Sequence, residues 1–126
     1  LKEEHKESED DPHLKARQRQ LRQQASRRRM MAAVPKATVV VTNPTHYAVA
    51  LAYEKDSGAP RVVAKGVDSM AARIREAARE AGVPLVPNPP LARALYKLEL
   101  GREIPPDHYA AVAEIIAFVW RRRGGR

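Results

Sequence analysis

Residues 37–53 read ATVVVTNPTHYAVALAY. The first part, ATVVVT (37–42), is an apolar β-branched run of the kind that fills a buried strand. The second, YAVALAY (47–53), alternates large and small residues: Tyr47, Val49, Leu51 and Tyr53 against Ala48, Ala50 and Ala52. That period of two predicts another strand. Between them sits TNPTHY (42–47), and Asn-Pro is a turn signal. N-glycosylation is excluded, because the sequon does not admit proline after the asparagine and Pro44 stands there.

Outward from this hairpin the pattern changes. EKDSGAP (54–60) is a turn cluster and RVVAKG (61–66) reads as a third strand. VDSMAARIREAAREAG (67–82) predicts a helix, capped by Asp68 or Ser69, with Met70, Ile74, Ala77, Ala78 and Ala81 on one face. Gly82 ends it. VPLVP (83–87) is a short strand. PPLARALYKLEL (89–100) is a helix opened by proline. GREIPPD is a loop, and residues 108–123 form a last helix with Tyr109, Val112, Ile116, Val119 and Trp120 along one side. The strand–helix–strand unit at 61–86 calls for a parallel pair made by a crossover. The expected fold class is α/β: a small mixed β-sheet of about four strands covered by helices, occupying residues 37–126.

Residues 1–36 differ. LKEEHKESEDDPH is acidic and polar; LKARQRQLRQQASRRRMM is basic and nearly without large apolar residues. A helix polar on almost every side has no core to hold it. This segment reads as a linker, extended or helical, that projects from the domain. Arg27-Arg28-Arg29 is either a solvated face or a contact for anionic lipid.

With 126 residues, 44% of them apolar, the chain is sized for one domain with one core. No cysteine is present, which removes disulfides and thiolate metal sites. No apolar run is long enough to cross a membrane and no secretory signal is visible. The chain opens on Leu1, as a piece of a longer protein would. The formal charge of +8 points toward nucleic acid, anionic lipid or an acidic partner. Four tyrosines, one phenylalanine and one tryptophan, most of them on apolar stripes, are thin material for stacking on bases. His5, His13 and His108 show no metal-ligand spacing, no phosphate-cradling loop is present, and no cofactor is expected.

The Asn43–Pro44 bond carries a specific chemistry. Deamidation of an asparagine needs the backbone nitrogen of the next residue as nucleophile, and proline has no N–H there. The opposite attack stays open. The side-chain nitrogen of Asn43 can add to its own main-chain carbonyl, close a five-membered succinimide and expel Pro44. An amide is a weak nucleophile until a neighbour activates it. Histidine is the side chain best suited to take up and return a proton, and His46 is the nearby candidate for moving it. Backbone N–H groups of the turn can stabilise the oxyanion formed at the Asn43 carbonyl.

With NPTH set between two strands, the chain resembles the FlhB/YscU family, the export-switch proteins of type III secretion systems. VVVTNPTHYAVALAY, APRVVAKGVDSMAARIRE, NPPLARALYKLELGREIP and YAAVAEIIAFVW each look like this family, and together they span residues 38 to 120. The upstream DPHLKARQRQLRQQASRRRMMAAVPKA looks like its linker between membrane and domain. The second and fourth segments are closer to the flagellar branch than to the injectisome branch. One departure is Pro87, where an acidic residue is expected before NPP; it falls in the loop after the fourth strand.

The resemblance implies a self-cleavage site at Asn43 and Pro44, assisted by Thr45 and His46. It implies transmembrane helices upstream of Leu1 and a place on the cytoplasmic face of the bacterial inner membrane. It implies a switch of the export apparatus from rod and hook proteins to filament proteins. The partners it implies are the export-gate membrane protein, export substrates and a hook-length control protein. Ala59, Pro60, Ala113 and Ile116 are candidates for an apolar pocket that receives export signals. Two alternatives stand beside this: an injectisome homologue, and a basic nucleic-acid-binding module in which NPTH is only a turn.

Overall fold

A computed structural model describes residues 11–44 and 46–124. Asp11 caps the first helix, α1 (Pro12–Ala33), its side chain accepting from the His13 N–H at 2.8 Å. A short 3-10 turn (Val34–Lys36) leads into strands β1 (Val39–Asn43), β2 (Tyr47–Ala52) and β3 (Arg61–Val67). Helix α2 (Asp68–Ala81), strand β4 (Leu85–Pro87), helix α3 (Pro89–Tyr96), a second 3-10 turn (Pro106–His108) and helix α4 (Tyr109–Gly124) complete the order.

The four strands form one mixed sheet in the order β3-β2-β1-β4. β1 and β2 are antiparallel with Asn43 opposite Tyr47, and β2 and β3 are antiparallel with Tyr47 opposite Val67. The parallel pair is β1 with β4, Val40 opposite Leu85. The crossover from β3 therefore passes over two strands before β4 docks.

The apolar run of β1 has a simple cause: it is buried on both faces. Val39 and Val41 point to one side with Val49, Leu51 and Val62, against Leu91 and Leu95 of α3 and Val112, Ile116 and Val119 of α4. Val40 points to the other with Ala48, Ala50 and Ala64, against Ala71, Ile74 and Ala78 of α2. The large–small alternation of β2 matches this division. Alanines line the α2 face because the helix sits close to the sheet. A Cβ on Gly66 would stand 2.5 Å from Cγ of Met70.

Several expectations shift. The core begins at Met30 and Val34, 8% and 0% exposed, rather than at residue 37. The segment before them is a continuous helix, exposed nearly throughout, whose last turn docks on the sheet and places Met30 Sδ 3.5 Å from the Lys65 backbone nitrogen. The part of the expected linker before Asp11 lies outside the described residues. On α2, Ala71 is buried and Ala81 is exposed, the reverse of their expected places on the apolar face. The N-cap is Val67 with no side-chain cap bond, so neither Asp68 nor Ser69 has the capping place. α3 stops at Tyr96, where Lys65 Nζ reaches the carbonyls of Tyr96 and Leu98 at 2.9 and 2.7 Å.

Candidate functional site

The Asn43–Pro44 bond lies where β1 gives way to the turn into β2. Two contacts fix its approach. The Asn88 N–H donates to the Thr42 carbonyl at 2.8 Å, and the His46 N–H donates to the Asn43 carbonyl at 3.0 Å. The second closes a four-residue turn with proline at its second position, where the fixed φ of proline fits. Asn43 is half-buried, Pro44 and His46 are exposed, and Thr45 lies outside the described residues. Thr42, just before them, is buried.

That geometry meets a chemical requirement. The oxygen accepting the His46 N–H belongs to the carbonyl that an attack by the Asn43 side chain would convert to an oxyanion. A backbone donor already aimed at this atom needs no reorganisation as charge builds there.

The His46 side chain faces α2. Its Nδ1 lies 3.6 Å from Oδ1 of Asp68, and the Asp68 N–H donates to the His46 main-chain carbonyl at 3.0 Å. Sequence reasoning singled out Asp68 only as a helix cap. Nothing in local pattern signals that β3 ends level with the turn. Pro87 is the last residue of β4 and pairs with Thr42, one residue before Asn43, so the position of this departure borders the turn.

Ala59, Pro60, Ala113 and Ile116 come together. They line one cavity of about 650 Å³ with Tyr53 and Trp120, whose rings stack at 5.7 Å between centroids. Two of these residues precede β3 and two lie on α4, so only the tertiary fold joins them. Ile116 is 4% exposed and forms the floor, and Ala113 is exposed at the rim. Lys55 stands 5.6 Å above the Trp120 ring. Among the described residues, no helix is long and apolar enough to cross a membrane.

A family model described as the FlhB HrpN YscU SpaS family matches residues 1–119. The flagellar biosynthetic protein FlhB of Escherichia coli is 55% identical over all of this chain and 34% of its own length. FlhB of Bacillus subtilis is 46% identical over 98% of this chain and 35% of its own. The hypersensitivity response secretion protein HrcU of Ralstonia nicotianae is 46% identical over 94% of this chain and 34% of its own. The chain thus spans about a third of the length of the curated relatives it matches. Among solved structures, the cytoplasmic domain of FlhB from Shewanella putrefaciens is similar at TM-score 0.73 and 50% identity, covering 79% of this chain and 81% of that one. An EscU C-terminal domain with an asparagine-to-alanine substitution is similar at TM-score 0.68 and 33% identity, covering 71% of this chain and 92% of that one.

Proposed function

The chain belongs to the FlhB HrpN YscU SpaS family, and from that premise we propose that it is the self-cleaving cytoplasmic domain of a flagellar type III export protein. The Asn43 side-chain nitrogen attacks the Asn43 main-chain carbonyl carbon. A carbon–nitrogen bond forms in the succinimide as the bond to Pro44 breaks. The amide nitrogen gives up a proton and the departing proline nitrogen takes one, with His46 as the relay and Thr45 helping to orient the turn. The observation that carries this reading is the 3.0 Å hydrogen bond from the His46 N–H to the oxygen of the carbonyl under attack.

In this reading the cut remodels a surface turn, and the apparatus passes from rod- and hook-type substrates to filament-type ones. The cavity lined by Ala59, Pro60, Ala113 and Ile116 suits an apolar side chain of an export substrate. The export-gate membrane protein and a hook-length control protein are the partners the role requires. Helix α1 leads back toward the cytoplasmic face of the inner membrane, where its arginines suit anionic lipid.

Intact-mass measurement and denaturing electrophoresis test the cleavage. Two fragments, 1–43 and 44–126, are expected, and one intact species in the Asn43→Ala chain. A single intact species from the unaltered chain after prolonged incubation overturns the reading.

A further inference from the structure

Asp68 holds a backbone conformation that its place at a helix start does not call for. Its φ is +48°, the one positive φ at a non-glycine residue among those described. L residues populate that region sparsely, and aspartate tolerates it better than most. An acidic group in the first turn favours a helix dipole, but that needs neither this φ nor any link to the neighbouring turn.

The register supplies the link. Val67 pairs with Tyr47, so β3 ends level with the turn and the chain enters α2 with no loop residue between. The Asp68 N–H continues the β2–β3 ladder to the His46 carbonyl at 3.0 Å, and after the bend the Asp68 carboxylate lies within 3.6 Å of His46 Nδ1. Strained backbone at such a place is kept where the surroundings over-determine it.

We propose that Asp68 is a positioning residue for His46. Its carboxylate accepts the Nδ1 proton and holds the neutral imidazole as the Nδ1–H tautomer. Nε2 is then the atom that takes a proton from the Asn43 amide and returns one to the nitrogen of Pro44. The separation of 3.6 Å is longer than a hydrogen bond. A small side-chain rotation closes it, and such contacts commonly tighten only as the reaction proceeds. Both side chains are mostly exposed, 64% and 75%, so water and salt screen the charge. Orientation and tautomer are what the pair supplies. The role rests on the self-cleavage reading above.

The test uses Asp68→Gly and Asp68→Asn in the 126-residue chain. Glycine adopts a positive φ freely, so Asp68→Gly keeps the bend and its backbone hydrogen bond while removing the carboxylate. Cleavage about tenfold slower, with an unchanged melting temperature, is expected, less than the factor of about 10²–10⁴ for direct acid–base assistance because His46 itself remains. Asp68→Asn retains an oxygen that accepts the Nδ1 proton and recovers most of the rate. Nitrogen-15 shifts of the His46 ring in the Asn43→Ala chain, at a pH where the ring is neutral, show Nδ1 protonated, and Asp68→Gly abolishes that preference. An Asp68→Gly chain that cleaves at the unaltered rate overturns the role, as does an Asp68→Asn rate no better than that of Asp68→Gly. Should Asp68→Gly fail to fold, the ring shifts of the Asn43→Ala chain decide: an Nε2–H tautomer there overturns it. If the unaltered chain itself does not cleave, the self-cleavage reading fails, and the role with it.

Discussion

Breaking the Asn43–Pro44 bond leaves residues 1–43 and 44–126, and the two pieces are expected to stay together. β1 is an inner strand, held by β2 on one side and β4 on the other. Its pairing partners all belong to the larger piece. The smaller piece buries Val34, Val39, Val40 and Val41 completely and Met30 almost so. Each such side chain is worth about 1.5–3 kcal/mol when fully buried, so withdrawing the five costs about 7–15 kcal/mol in apolar burial alone. The strand's hydrogen bonds add to that, since buried backbone groups would lose their partners. Gel filtration of the cleaved protein without denaturant should give one peak at the size of the uncut chain, with both fragments in it on a denaturing gel. Val40→Ala removes about 2 kcal/mol of this hold. It should lower the urea midpoint for fragment release by about 1 M. Spontaneous separation in plain buffer would refute the reasoning, because an inner strand buried on both faces cannot leave so cheaply.

Asn43→Ala should abolish cleavage by deleting the attacking nitrogen, and Asn43→Asp should cleave slowly at neutral pH; two fragments from Asn43→Ala at the normal rate on an electrophoretic time course would exclude the succinimide route. His46→Ala should slow cleavage by about 10²–10⁴ without lowering the melting temperature, and an unchanged rate would reduce His46 to a turn residue. Hydrogen exchange should be fast over residues 12–28 and slow over 39–51. Uniformly slow exchange along α1 would show that its exposed face is covered. Gly66→Ala should destabilise the domain in a thermal melt, because the added methyl meets Met70 at 2.5 Å; unchanged stability would show that Met70 moves aside at no cost.

Periodicity is local, and what it governs was readable along the chain. The β-branched run at 38–41, the large–small alternation at 47–53 and the Asn-Pro turn between them specify a hairpin. The apolar stripes of 68–81 and 109–120 specify helices that must cover a sheet. The succinimide route proposed at Asn43 rests on a single bond, where proline removes the competing nucleophile. Other features depend on which strands lie side by side, and no local pattern encodes that. β4 docks on β1 rather than beside β3, and this brings Pro87 and Asn88 against Thr42. The end of α1 folds onto the sheet because Met30 and Val34 find apolar surface there, although the helix before them carries no stripe. The register of β2 on β3 sets Asp68 against His46, 22 positions apart in sequence yet 3.6 Å apart in space. A strand pairing fixes the position of every residue that follows it, so one register choice placed a helix start beside a turn.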